Sequence, residues 1–555
     1  MGAQQAGRGV GSLMSCLLTG FAAGWFVVPT PDPMHEQGFP RFQIGEGLAT
    51  RPERRLLKVE GIVSTTSKDM REPEVIRTLI PARIDRLSWS PFHTRLMMAL
   101  GVAWVLDGLE ITVAGAIGPV LQEQETLGLS STEVGAIATV YLLGEVFGAL
   151  FFGRLADALG RRRLFIITLA VYLFGNAATA LTWGDSTLAL VFLYATRFVA
   201  GAGIGGEYAA INSAIDELIP AKYRGQADIA VNGTYWAGAI IGTLGTYILL
   251  NNVDLSVAWR IPFLIGPVLG VAIWGLRRHL PESPRWLIMR GRDEEAEENI
   301  KYIEDEATAA GIKLEPLDDD KAIDIQPTQQ IGFIVLARVL FRHYTSRSIL
   351  GATLMITQSF LFNAIFFTYT IVLSKFYGVD AKDAPFFLVA FAVGNLAGPL
   401  TIGRLFDSLG RKQMIAGTYI LSGILLAITA VLFNAGVLNA TTQTICWCVI
   451  FFFASAGASA AYLTVSEIFP LEVRAKAIAL FFAIAQCFGA IGPVFYGRLI
   501  GEGEDPGKLF IGYLIAAVVM VIGGVVEIFL GVTAERKSLE DIASPLSAIR
   551  QETRT

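Results

Sequence analysis

About twelve stretches of mostly apolar residues follow one another between residues 95 and 531. Each is close to the length of about 20 residues that a helix needs to cross the hydrocarbon core of a bilayer. They lie near 95–120, 132–153, 164–183, 187–212, 228–250, 258–276, 349–373, 385–403, 414–434, 443–466, 475–498 and 508–531. Inside lipid the backbone polar groups must be satisfied within each segment, so repeated spans predict an all-α membrane protein. Composition agrees. Only 17% of the residues are charged, against about 25% in soluble chains, and the mean hydropathy is +0.53. A soluble enzyme, a disordered chain and a nucleic-acid binder are disfavoured, and the net charge of −5 offers no basic domain. Cys446, Cys448 and Cys487 lie in apolar runs, and with Cys16 they form neither a metal spacing nor a disulfide framework. His35, His93, His279 and His343 lie outside the long apolar runs, which disfavours a histidine metal site or proton relay. No cofactor is implied.

The connections alternate in charge. One set carries Arg154 with Arg161–Arg163, Lys222 with Arg224, Arg277 to Arg292, Arg404 with Arg411 and Lys412, and Arg474 with Lys476. The other set is poor in Lys and Arg, apart from Lys375, Lys382, Arg498 and Lys508. Basic loops stay in the cytoplasm. The basic set and both ends of the bundle are therefore expected there, in the plasma or inner membrane of the cell. Residues 11–28 are apolar but only marginally long, and 29–92 are polar with several prolines. A signal peptide and a thirteenth span are both compatible with this stretch. The preferred reading takes 1–80 as an extension that is disordered or not native, with Met70 as a possible true start.

Two motifs recur in one register. GRLADALGRRR begins at Gly153 and GRLFDSLGRKQ at Gly403, and 403 − 153 = 250. ELIPAKYR begins at Glu217 and EIFPLEVR at Glu467, and 467 − 217 = 250. A common offset indicates a duplicated half of about six spans. The expected organisation is an N-terminal half over 81–276, a cytoplasmic linker over 277–348, a C-terminal half over 349–532 and a tail over 533–555. The centre of the linker is acidic, from Asp293 to Glu306, and reads as a solvated helix.

Parallel six-span repeats resemble the major facilitator superfamily. Gly153 to Arg163 resembles its loop between spans two and three, with Gly403 to Lys412 as the second copy. Arg197-Phe-Val-Ala-Gly201-Ala-Gly203 is similar to its span-four signature. Pro281-Glu-Ser-Pro-Arg-Trp286-Leu287, the Ser466-Glu467-Ile-Phe-Pro470 segment with Arg474, and the tail Thr533–Glu540 resemble the sugar-porter branch. Asp107-Gly-Leu-Glu110 instead resembles the acidic motif of metabolite:proton symporters. In span seven Gln358 and Asn363 match a sugar-porter pattern, but its Ser-Gly pair and tyrosines are absent, which points away from a hexose. The resemblance implies a twelve-helix major facilitator working by alternating access.

Polar residues within spans mark the candidate site. Asp107, Glu110, Glu145, Arg197 and Glu207 would together cost about 12–18 kcal/mol facing lipid, at about 2.5–3.5 kcal/mol each. They should face a cavity or one another. Asp107 and Glu110 share a helix face at i, i+3. The resemblance implies that Asp107 carries the transported proton and that Arg197 tunes it; a fixed ion pair is the plainer reading. Glu145 reads either as a second titrating group or as a hydrogen bond between helices. Glu207 reads as gate or packing. Gln358, Asn363, Asn232, Tyr235, Trp236, Asn395 and Gln486 are candidate substrate contacts, although aromatic residues such as Tyr235 and Trp236 are more often core. Gly153, Arg154, Asp157, Gly160, Arg161, Glu217, Arg224, Arg404, Asp407, Arg411, Glu467 and Arg474 are candidates for a cytoplasmic gate, with a purely topological role as the alternative. Gly201, Gly203 and Gly206 fit a dinucleotide pattern, but no strand precedes them. Gly201 and Gly205 instead suit close helix packing.

The expected function is proton-coupled symport of a small polar metabolite, an organic acid or similar compound, by a monomer in the bilayer. A sugar or polyol porter, an antiporter and a non-transporting sensor are the alternatives. No Ser/His/Asp set or phosphate loop suggests an enzyme.

Overall fold

The computed structural model describes residues 76–532 except 185, 278–280, 289, 319–321, 326–331 and 470–473. The expectations for residues 1–75 and for the tail lie outside the described residues. In chain order the elements are β1 (Ile76–Thr78), α1 (Ile80–Asp85), α2 (Pro91–Ala116), α3 (Gly118–Gln122), α4 (Ser131–Leu159), α5 (Arg161–Ala180), α6 (Thr187–Leu218), α7 (Ala221–Asn252), α8 (Leu255–Ala258) and α9 (Ile261–Arg277). Then come α10 (Pro284–Ile288), α11 (Asp293–Ala309), β2 (Ile323–Ile325), α12 (Phe333–His343), α13 (Thr345–Tyr377), α14 (Ala384–Ser408), α15 (Arg411–Asn434), α16 (Ala440–Glu467), α17 (Arg474–Gly489), α18 (Ile491–Ile500) and α19 (Pro506–Leu530).

Ten stretches are long and apolar enough to cross a membrane, and one of them, Lys476–Ile500, is shared by α17 and α18. The 32-residue α7 and the 17-residue α9 complete twelve spans in two halves of six. Several helices run beyond their apolar stretch toward the basic loops. Helix α6 continues to Leu218 and α7 begins at Ala221, because the polar ends there are still good helix formers.

The internal duplication is visible atom by atom. On α4, a Cβ on Gly148 would lie 2.0 Å from the Ala202 carbonyl oxygen of α6. On α14, a Cβ on Gly398 would lie 2.0 Å from the Phe452 carbonyl oxygen of α16. The offsets are 398 − 148 = 250 and 452 − 202 = 250. From the facing side, Cβ atoms on Gly201 and Gly205 would meet the Tyr141 and Glu145 carbonyl oxygens at 2.0 Å. Glycines thus bring backbones into contact where lipid provides no hydrophobic drive for association. The loop glycines repeat as well: Gly160 has φ 90° and Gly410 has φ 110°. That region is open to glycine and strained for other residues, and it turns the chain sharply into α5 and α15.

The described contacts between halves that are fixed by hydrogen bonds gather toward the end opposite the basic loops. Ser131 Oγ donates to the Gly501 carbonyl at 2.6 Å, and Thr370 Oγ1 to the Gly115 carbonyl at 2.6 Å. Thr139 Oγ1 donates to the Ala490 carbonyl at 2.6 Å, and Asn251 Nδ2 to the Lys382 carbonyl at 3.2 Å.

At the basic end the linker differs from a fully solvated helix. Ala296, Ile300, Ile303 and Ala307 form a buried stripe along α11 at helical spacing. Ile80 and Ile84 of α1 pack with Ala296 and Ile300, together with Trp286, Leu287 and Ile288 of α10. Strands β1 and β2 pair antiparallel, Ile76 opposite Ile325, and depart from an all-helical chain. Residues 76–80 are therefore structured, although they fall inside the expected extension. Arg83 donates to Glu304 at 2.6 Å and to Glu297 at 2.5 Å, Arg86 donates to Glu304 at 2.6 Å, and Arg95 pairs with Glu306. The acidic run is thus held by arginines that precede and open span one. It could be misread because charges outnumber the four apolar residues that decide which face is buried.

Burial by itself raises the Glu304 carboxyl, but its hydrogen bonds to Arg83 and Arg86 hold it below the ordinary carboxylate range. A carboxyl lowered in the folded state stabilises at and above its unfolded value, and that contribution disappears as pH falls through the folded value. Glu304→Gln is expected to cost about 2 kcal/mol at pH 7, seen as a lower Tm in detergent. The gap from the unsubstituted protein should narrow as pH drops below about 4. Gly148→Ala and Gly398→Ala are each expected to lose about 1–3 kcal/mol by overpacking. Gly245→Ala, where a Cβ meets nothing within 4 Å, should leave the Tm of the purified protein unchanged.

Candidate functional site

Two polar clusters lie within the spans. The first belongs to the N-terminal half. Arg197 of α6 is 1% exposed. Its Nη1 donates to Asn176 Oδ1 of α5 at 2.8 Å, and its guanidinium carbon lies 4.5 Å from the centre of the Tyr141 ring and 5.2 Å from that of Phe263. Among the described residues Arg197 thus finds an amide and two aromatic faces as its direct partners. Tyr141 lies within electrostatic reach of Glu145, Arg197, Asp107 and Glu110.

Asp107 and Glu110 are both 1% exposed on α2. The Glu110 carboxyl makes no close, well-aligned hydrogen bond among the described residues, and the Tyr172 hydroxyl lies beside it. The carboxyl lies over Gly266 of α9, where a Cβ would fall 1.5 Å from Glu110 Oε1. Any side chain at 266 would take the place of that carboxyl. Glu207 is also 1% exposed and lies within electrostatic reach of Tyr172, as do Glu110 and Asp107.

The second cluster joins the halves. Gln486 of α17 donates through Nε2 to Glu145 Oε2 of α4 at 2.6 Å. Its carbonyl oxygen accepts from Ser359 Oγ at 2.6 Å and from Asn363 Nδ2 at 3.2 Å, both on α13. Asn363 Nδ2 also donates to Ser359 Oγ at 3.1 Å. Gly489 leaves room for this group, since a Cβ there would lie 2.2 Å from Ser359 Oγ. Glu145 is thus hydrogen-bonded between helices, and the bond spans the two halves. Ser359 had a legible signal, a hydroxyl between Gln358 and Asn363 on an apolar helix. So did Asn176, an amide within span three; Tyr141 and Tyr172 offered no signal that separates them from core tyrosines.

Aromatic rings continue between the halves. Tyr235 packs edge-on to Trp104 at 6.4 Å and to Trp236 at 5.2 Å. Trp236 reaches Phe362 of the opposite half at 5.8 Å, and Phe362 stacks on Phe366 at 5.0 Å.

Other candidates stand apart. Gln358 is 8% exposed and its carbonyl oxygen has no partner, so the pattern places it beside the Gln486 group without joining it. Asn395 turns its amide back to the Phe391 carbonyl of its own helix at 3.0 Å, a back-bond that a polar side chain makes when it has no interhelical partner. The side chains of Asn232, Asp157, Arg161, Arg224, Arg404, Asp407, Glu467 and Arg474 lie outside the described residues. Arg154 is exposed, Arg411 is buried and Glu217 is half-buried. Glu282 of the Pro281–Leu287 segment accepts from the Arg162 amide at 3.2 Å. It thereby caps the start of α5, where a carboxylate is favoured by the exposed N–H groups.

Comparison with known proteins agrees with this architecture. A family profile described as "Sugar (and other) transporter" matches residues 102–544. The niacin transporter NiaP of Acinetobacter baylyi is 27% identical over 83% of this chain and 99% of its own. The glucose transporter GlcP of Staphylococcus epidermidis is 26% identical over 65% of this chain and 77% of its own. Among solved structures, the inward-open xylose transporter of E. coli superposes with a TM-score of 0.63 at 19% identity, covering 81% of this chain and 98% of that one. A D-xylose-proton symporter superposes with a TM-score of 0.62 at 17% identity, covering 80% and 100%. These last two establish the fold. Twelve helices in two duplicated halves, polar groups buried between them and a profile spanning most of the sequence lead to one assignment: the chain belongs to the sugar (and other) transporter family of the major facilitator superfamily.

Proposed function

We propose that the protein is a proton-coupled symporter that imports a small organic acid. The observation that carries this reading is the Glu110 carboxyl, fully buried in the cluster that holds Asp107, Tyr141 and Arg197, with the Tyr172 hydroxyl beside it. Such a group is expensive to retain in a span unless it works. Asp107 and Glu110 carry the proton, and Arg197 senses their charge from its seat on Asn176 and Tyr141. Water access and the distance to a cation set the proton affinity of a carboxyl. Alternating access changes both, which gives uptake on one face and release on the other.

The substrate binds between the halves, against Gln486, Ser359 and Asn363 and beside the rings of Tyr235, Trp236 and Phe362. A planar acid uses both features: rings for stacking, and amides for its oxygens. The name of the niacin transporter supports this class. Gln486 holds Glu145, and a substrate that takes that amide frees the carboxylate. The basic loops face the cytoplasm, as the charge rule requires. The halves correspond to 81–276 and 349–532, joined by the linker at 277–348. The signature residues Gly153 to Arg161 and Arg404 to Arg411, with Glu217, Arg224, Glu467 and Arg474, latch the inner ends when the outside opens. The working unit is a monomer in the cell membrane.

The test is proton flux in proteoliposomes enclosing a pH-sensitive dye, with pools of organic acids, sugars and polyols added in turn and protein-free vesicles as the blank. The acid pool should acidify the interior. Asp107→Asn should abolish that acidification while labelled-substrate exchange persists. Uptake of label without proton movement, unchanged in Asp107→Asn, would replace symport by facilitated passage, and a response confined to sugars or polyols would move the substrate class. No flux with any pool, beside saturable ligand binding, would assign a sensor. Gln486→Ala should raise KM about tenfold, the worth of one hydrogen bond to a charged group, with a smaller change in maximal rate. A drop in rate at constant KM would remove Gln486 from the binding site.

A further inference from the structure

Helix α12, at the end of the linker before span seven, has no part in the transport reading. Its Leu336 and Leu340 are buried at 1% and 0% exposure. Its opposite side is apolar and open, with Ile334 75%, Val335 44% and Phe341 40% exposed. Arg338 and Arg342 are exposed on that same side, since 334, 338 and 341 or 342 lie one turn apart. Among the described residues neither guanidinium makes a hydrogen bond or ion pair.

The orientation of α12 follows from its junction with α13. Ser348 Oγ donates to the Leu340 carbonyl at 3.0 Å, across eight positions. In a straight helix those positions would be separated by about 12 Å of rise. The chain therefore bends sharply at Tyr344, and α12 runs across the axis of span seven instead of extending it. Its depth is marked by Phe341, whose ring lies 6.0 Å from that of Phe481. Phe481 belongs to the apolar stretch that begins at Lys476. The neighbouring exposed Ile349 of α13, 44% open, continues the same surface into the lipid-facing belt. An apolar edge beside two free guanidiniums, lying across the bundle at the start of the apolar zone, has the pattern of an interfacial helix.

We propose that α12 lies in the membrane–water interface and binds the headgroups of anionic phospholipids through Arg338 and Arg342, with Ile334 and Phe341 among the first acyl carbons. Planar guanidiniums suit phosphate oxygens, and basic groups at an anionic leaflet gain from its surface potential. The helix would then brace span seven, which carries Ser359 and Asn363, against the bilayer.

Two measurements on the full-length protein test this without reference to transport. In nanodiscs of phosphatidylcholine with a minor share of phosphatidylglycerol, spin-labelled phosphatidylglycerol should be retained at the protein over spin-labelled phosphatidylcholine. Arg338→Gln with Arg342→Gln should reduce that preference about tenfold, with an unchanged helical spectrum and Tm. Equal preference in the variant overturns the proposal. In a background with all four cysteines replaced by alanine, Ile334→Cys carrying a fluorophore should be quenched by lipids brominated near the headgroup end of the acyl chain. Absence of quenching overturns it. Quenching that emerges only after deletion of residues 533–555 assigns the surface to the chain's own tail and also overturns it.

Discussion

The hydrogen bond from Gln486 to Glu145 joins two halves of the protein within the spans. A carboxylate there has few partners, and the amide that meets it comes from the other half. Ser359 and Asn363 complete the amide on its far side. A ligand that enters between the halves competes directly with these bonds. Under the proposed function, the atoms that hold the halves together are also the atoms a substrate rearranges, which couples binding to movement. Hydrogen bonds inside a span are only moderately strong, so a network of this size permits exchange.

That network depends on backbone packing beside it. Glu145 is positioned because its own carbonyl oxygen abuts Gly205, and Gly201 abuts Tyr141 one turn earlier. Larger residues at either glycine would push α4 from α6 and carry Glu145 away from Gln486. The second half repeats the device with Gly398 against Phe452, but without a charged residue at the position equivalent to 145, which is Asn395 (395 − 145 = 250). The duplicated scaffold is symmetric while the chemistry laid on it is not. The acids and Arg197 belong to the first half, and the Gln486 amide group to the second. In the proposed symport, one half would handle protons and the other supply a neutral partner.

The basic end adds a small assembly of α1, β1, α10, α11 and β2. Its arginine–carboxylate pairs link the segment before span one to the linker, and Glu282 caps α5 at the signature loop. Linker, loop and first span are thus mechanically connected. The acidic run of α11 illustrates a limit of composition. Net charge suggests solvation, while the four-residue apolar stripe and the arginines at 83, 86 and 95 decide that one face is covered.

The sequence by itself determined the spans, their duplication, the family and the set of polar residues that had to leave the lipid. Those follow from length, periodicity and the cost of charge in hydrocarbon, all local or additive quantities. It also located Gly201 and Gly205, because their spacing is helical, whereas Gly148 and Gly398 became visible only in the packing. Only the tertiary structure decided the pairings. That Arg197 rests on Asn176 and Tyr141, that Glu145 meets Gln486 across 341 positions, that Asn395 bonds its own helix and that α12 bends away from span seven all depend on helix rotation and crossing. A helical wheel gives the face of each residue but not the neighbour that face will meet. Neighbours are set by the packing of all twelve helices at once.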